Sequence, residues 1–152
     1  ESPAHELEEI DLNHFIRQAI EDAFSYGASK NIQIQADLQA CAGIKAQPNA
    51  IAVLARNLLD NAIRYTPAGG RVMVTTQQRE QQVLLSISDS GPGIPEAEYL
   101  RVFDRFYRIS GSQQSGSGLG LSIVKAIADR FGASIRLSRS SLGGLAVTIA
   151  FR

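Results

Sequence analysis

Asn57-Leu58-Leu59-Asp60-Asn61-Ala62-Ile63-Arg64-Tyr65, followed by Thr66-Pro67-Ala68-Gly69-Gly70, is the stretch from which the rest of the chain can be read. Ile51, Leu54, Leu58, Ala62 and Tyr65 recur at spacings of three and four, which predicts a helix from Pro48 to about Tyr65. Proline favours the first turn, and the Thr-Pro-Ala-Gly-Gly run ends the helix. Beside the apolar stripe runs a polar one. Asn57, Asn61 and Arg64 fall at i, i+4 and i+7 and share a face, with Asp60 at its flank. Two amides and a cation on one face suit a hydrated divalent ion and a phosphate, because Mg²⁺ takes few protein oxygens and keeps its waters. A solvated helix face gives the same pattern. Asparagine is nevertheless a poor helix former, and two within five residues call for a reason.

Working outward, Arg71 to Thr76 and Val83 to Ser88 alternate as strands and predict a hairpin turning at Gln78 to Gln81. Upstream, Phe15, Ile16, Ala19, Ile20 and Ala23 predict a first helix, capped by Asp11 or Asn13 and ended by Gly27. A strand follows at Ile32 to Asp37, and Cys41 to Ala46 is expected to pair with it. Downstream, a short helix is expected near Glu96 to Phe106 and a third long helix from Leu119 to Phe131, with Gly132 as its cap. Two strands, Ser134 to Ser138 and Leu145 to Phe151, close the chain around Gly143-Gly144. This order predicts an α+β two-layer sandwich, a mixed β-sheet of about five strands covered on one face by three helices.

Composition narrows the function. At 152 residues one domain is expected, and 44% hydrophobic with 20% charged residues is a globular balance. Fifteen basic and fifteen acidic residues cancel, which argues against nucleic acid as a partner and against a polybasic membrane anchor. Cys41 is the single cysteine, so an internal disulfide and a cysteine-cluster zinc site are excluded, and a reducing compartment fits. No apolar run approaches a membrane span of about 18 residues. The chain opens at Glu1 without Met, and is expected to be cut from something longer.

Two glycine-rich segments carry the remaining chemistry. Asp89-Ser90-Gly91-Pro92-Gly93-Ile94-Pro95 follows an apolar strand; its glycines allow close approach to a flat ligand, and its carboxylate can accept a hydrogen bond from an exocyclic amine. A plain turn reads the same way. Gly116-Ser117-Gly118-Leu119-Gly120-Leu121 runs into a helix, where exposed N–H groups favour anions, although a flexible linker has this composition too. The uncharged stretch Ser110 to Gly118 has the character of a lid. Arg105 and Arg108 precede it, with Phe103 and Phe106 expected to pack underneath.

In order, NLLDNAIRY, DSGPGIP, VFDRFYR and GSGLGLSIVK resemble the N, G1, F and G2 boxes of the catalytic ATP-binding domain of bacterial sensor histidine kinases. That family belongs to the wider group of gyrase B, the Hsp90 chaperones and MutL, with the Bergerat ATP-binding fold. The resemblance covers nearly the whole chain and is nearest the class that includes QseC and PmrB. It implies ATP and Mg²⁺ as cofactors, with Asn57 and Asn61 at the metal positions. Asn57 stands where the related hydrolases place a glutamate base, so efficient ATP hydrolysis is not expected. Arg64 takes the place of the usual lysine facing the phosphates, with Tyr65 the adjacent aromatic. Asp89 would bond the adenine amino group in a pocket shaped by Gly91, Gly93 and Ile94. Arg108, beside Tyr107, would reach the γ-phosphate, while Gly116, Ser117, Gly118, Leu119, Gly120 and Leu121 would line the phosphate chain. The hydroxyl residue often found after the terminal glycines is replaced by Ala146.

The resemblance also implies the reaction and its partners. The γ-phosphoryl of ATP would pass to a histidine on a separate dimerisation hairpin of the same parent protein, and from there to a response regulator. Residues 1–11 would be a linker from that missing domain and 12–152 the catalytic domain, cytoplasmic in an inner-membrane protein. His5-Glu6-Leu7 imitates the start of a phosphoacceptor box but continues Glu8-Glu9-Ile10, so His5 reads as a linker residue, and His14 as a solvated one. An anti-sigma-factor-type serine kinase and a nucleotide-sensing module without catalysis are the alternatives. The FYR and GSGLGLSIVK strings speak against the first.

Overall fold

The computed structural model describes residues 7–39, 42–104 and 120–152. In chain order its elements are β1 (Glu8–Asp11), α1 (Leu12–Ser29), β2 (Gln33–Leu38), β3 (Gly43–Ala46), α2 (Pro48–Tyr65), β4 (Arg71–Arg79), β5 (Gln82–Asp89), α3 (Gly120–Arg130), β6 (Ser134–Arg139) and β7 (Leu145–Phe151). Two 3-10 turns, Glu96–Glu98 and Arg101–Phe103, stand where a short helix was expected.

The main sheet has the order β2-β4-β5-β7-β6, with β2 and β4 parallel and every other pair antiparallel. Strict alternation sends Val72, Val74, Val83, Leu85, Ile87, Val147 and Ile149 towards the helices, where they are buried. The opposite face carries Thr75, Ser86 and Thr148, the last two hydrogen-bonded at 2.9 Å. Helix α2 meets the core with Ile51, Leu54, Leu58 and Ala62 as its stripe predicts, and Ala55, Leu59 and Ile63 widen it. The α+β sandwich and its five-stranded mixed sheet are as expected.

Two local expectations are corrected. Helix α1 is capped by Asp11, whose carboxylate accepts the Asn13 N–H at 3.0 Å, but it runs through Gly27 to Ser29. Gly27 is there for packing: a β-carbon on it would lie 3.0 Å from Ile34 Cδ1. The left-handed residue after the helix is Asn31, at φ 55°. By contrast α3 does end at its glycine, Gly132 at φ 67°, and the Ala133 N–H closes on Ala128 O at 2.9 Å.

Secondly, β3 does not pair with β2. It pairs antiparallel with β1, from Glu8 opposite Ala46 to Asp11 opposite Gly43, as a separate two-stranded sheet. A buried polar knot turns the chain away. Asn13 is buried at the start of α1; its amide donates to Gln39 O and its oxygen accepts from Thr76 Oγ1 at 2.7 Å. The Gln39 N–H donates to Thr76 Oγ1 at 3.1 Å, which carries the strand end across β4, and the Leu12 N–H then bonds Ala42 O at 2.9 Å.

Candidate active site

Asp89 is the last residue of β5, and its side chain is buried. Oδ1 accepts two backbone N–H groups, Gly91 at 2.9 Å and Leu145 at 3.1 Å. Oδ2 makes neither of these bonds, so one oxygen is pinned and the other is not. Burial pushes this carboxyl up from its ordinary value, and the two N–H bonds pull part of the way back.

Glycines make this arrangement possible. A β-carbon on Gly144 would fall 2.1 Å from Asp89 Oδ1, and one on Gly91 would fall 2.5 Å from the Tyr65 carbonyl oxygen. Gly93 has φ 76° and lies against Gly144. The Asp89–Gly93 loop is thus wedged between the C-terminus of α2 and the start of β7, and Gly144 N–H bonds the Asp89 carbonyl at 3.1 Å. The sequence places Gly143-Gly144 in a turn, and by resemblance ahead of Ala146, but does not reveal that Gly144 packs on Asp89 or that the Leu145 N–H bonds it. The glycine doublet just before a strand was the available signal.

The other end of the site lies between α2 and α3. Asn57 Nδ2 donates to the Val53 carbonyl one turn back at 2.8 Å, which orients its amide. A β-carbon on Gly120 would lie 3.6 Å from Asn61 Oδ1 and 3.9 Å from Asn57 Oδ1. Both amide oxygens therefore converge on the first residue of α3, where the helix dipole favours negative charge. The donor set suits Mg²⁺, because two amide oxygens are hard ligands and this ion keeps most of its waters.

Arg64 and Tyr65 are half-buried in the last turn of α2, and Ile94 packs on the core. Leu121, in the first turn of α3, is buried in the core. Asp60, half-buried, has its carboxyl raised by burial against the opposing pull of Arg64 and Arg56. Lys30, which sequence reasoning also missed, donates from Nζ to Ile63 O at 2.8 Å and Arg64 O at 3.1 Å. No periodicity marks it, because it acts across the gap between two helices. His14 is exposed, with its ring edge-on to Phe15. Phe103 packs on the core as expected. Tyr107, Arg108, Gly116, Ser117, Gly118 and Leu119 lie outside the described residues, as do His5, Cys41, Arg105, Phe106 and the 110–118 stretch.

The family model described as histidine kinase-, DNA gyrase B- and HSP90-like ATPase matches residues 46–152. The chain belongs to this family. It is 35% identical over 147 residues to the sensor protein QseC of Salmonella typhimurium, covering 96% of this chain and 32% of that protein. It spans about a third of the length of that curated relative. Among solved structures it is similar to the mycobacterial sensor histidine kinase MprB, at 30% identity and TM-score 0.85, covering 95% and 97% of the two chains. It is similar also to the catalytic domain of the histidine kinase ThkA, at 28% identity and TM-score 0.85, covering 96% and 95%. ThkA has been solved as well in complex with the response regulator TrrA, there at TM-score 0.81 and 26% identity, covering 95% and 41%.

Proposed function

We propose that this domain binds Mg²⁺-ATP and delivers its γ-phosphoryl group to a histidine on a separate helical hairpin of the parent protein. The observation that carries this is a pair of half-sites joined by α2. At its C-terminus Gly91 packs on the Tyr65 carbonyl and Asp89 keeps Oδ2 out of its two backbone bonds; further back along the helix, Asn57 and Asn61 turn amide oxygens towards Gly120, the first residue of α3. The adenine amino group would donate to Asp89, Arg64 would face the phosphates, and Arg108 would reach the γ-phosphate. Gly116 to Gly120 would offer N–H groups to the phosphate chain. Mg²⁺, held by Asn57 and Asn61, would neutralise phosphate charge.

Catalysis then rests on positioning and charge. The γ-phosphorus–oxygen bond breaks, ADP leaves, and the histidine nitrogen forms the new bond to phosphorus. With asparagine at position 57, no carboxylate stands ready there to activate water. The phosphohistidine would in turn serve a response regulator, a reading that the ThkA–TrrA complex supports. Residues 1–11 are read as the lead-in from the hairpin domain and 12–152 as the catalytic domain, with Glu8–Asp11 tied to Gly43–Ala46. No helix among the described residues is long and apolar enough to cross a membrane. We read the domain as the cytoplasmic part of a membrane-anchored sensor kinase.

The test is transfer in trans. Given Mg²⁺-ATP alone, the chain should bind nucleotide without forming acid-labile phosphate, because the acceptor nitrogen must be held about 3–3.5 Å from the γ-phosphorus. Adding the parent's hairpin should restore labelling, on the hairpin's histidine. Acid-labile phosphate on His5 of the isolated chain would overturn this reading.

A further inference from the structure

Helix α2 ends against the Asp89–Gly93 loop, where Gly91 packs on the Tyr65 carbonyl, and that end carries the negative pole of the helix dipole. Phosphates facing Arg64, which sits in this last turn, would lie near the pole. One side chain from outside the helix caps it. Lys30, the residue just after α1, is half-buried and donates from Nζ to two last-turn carbonyls, Ile63 at 2.8 Å and Arg64 at 3.1 Å. Its own carbonyl accepts the Gly69 N–H at 3.0 Å, and the Gln33 N–H bonds Gly70 O at 3.0 Å, so this corner is fixed on both sides. From there the contacts continue into the site. The Arg71 N–H donates to Ser90 Oγ at 2.8 Å next to Asp89, and the Tyr65 carbonyl abuts Gly91.

We infer that Lys30 is a positioning residue for the nucleotide site: its ammonium fixes and neutralises the C-terminal turn of α2, so that Arg64 and Tyr65 face an anionic ligand without an opposing helix pole. This rests on the reading of the domain as ATP-binding. Burial and the nearby Arg64 cation both lower the Lys30 pKa, so the ammonium is held between the two carbonyls against an electrostatic cost.

The experiment compares ligands of different charge on the full 152-residue chain. ATP and adenosine are titrated against wild type, Lys30→Met, Lys30→Arg and, as a charge control on exposed β3, Lys45→Met. Lys30→Met should bind ATP about threefold to tenfold more weakly while adenosine affinity changes less than twofold, the range expected for a charge at a helix terminus. Lys30→Arg should recover most of the ATP affinity, and Lys45→Met should match wild type. Should Lys30→Met fail to fold, Lys30→Gln, a donor without charge, carries the same comparison. Equal losses for ATP and adenosine would reduce Lys30 to a structural cap and overturn the inference. Wild-type chain that bound no ATP would overturn the ATP-binding reading itself, and with it this role.

Discussion

Gly144 and Asp89 are packed so closely that no side chain can stand between them: a β-carbon on the glycine would lie 2.1 Å from Oδ1 and 2.7 Å from the Asp89 carbonyl oxygen. Gly144→Ala must therefore push either the carboxylate or the start of β7 aside. Overpacking of this kind costs about 1–3 kcal/mol, readable as a lower urea midpoint. Displacing Asp89 should weaken ATP binding about tenfold, the scale of one hydrogen bond to a charged group. GTP binding should change little. Equal weakening of both nucleotides would argue that the substitution acts on folding alone.

Asp89 itself should cost the fold stability at neutral pH. Burial holds its carboxyl above the ordinary 3.8, so the folded state binds the proton more tightly than the unfolded chain. Stability from this group is therefore greatest below 3.8 and falls as the pH rises through the folded pKa. Asp89→Asn keeps an oxygen for the Gly91 and Leu145 N–H groups but does not ionise. Its stability relative to wild type should rise between pH 4 and pH 7, as measured by urea unfolding of both proteins. A gap that stays constant with pH would contradict the burial argument. The same variant should lose preference for adenine over guanine, since an amide can donate as well as accept.

Asn61→Ala removes one of the two amide oxygens that face Gly120. ATP affinity should fall several-fold to about tenfold in Mg²⁺ and much less in EDTA, on the scale of one charge-assisted contact. Isothermal titration under both conditions decides the matter. Identical affinities for wild type and variant at saturating Mg²⁺ would remove Asn61 from the metal site.

The Asn13–Gln39–Thr76 knot should be a stability element with no part in binding. Asn13→Ala leaves a buried hydroxyl and a backbone carbonyl without their partner, a loss of about 1–3 kcal/mol. Thr76→Val should cost a similar amount. The double variant should cost less than the sum, because the two residues share one network. Strict additivity in urea unfolding would mean that the knot does not act as a unit.

Much of this protein was legible before any coordinates. The apolar stripe of α2, the alternation in β4, β5 and β7 and the glycine after α3 each follow from local chain geometry, because periods of 3.6 and 2.0 decide which side chains share a face. The pairing of Asn57 with Asn61 has the same origin, four residues being nearly one turn. What tertiary structure alone decided is whatever depends on contacts distant in sequence. The partner of β3 was set by a buried polar knot that joins residues 13, 39 and 76. Gly27 proved to be a packing site, because the space beside it belongs to Ile34. Leu145 N–H reaches Asp89 across 56 positions, and Lys30 reaches α2 across 33. Sequence spacing specifies directions along one element. Distances between elements arise only when the whole core closes, and the site at Asp89, Gly144 and Gly120 is built from those distances.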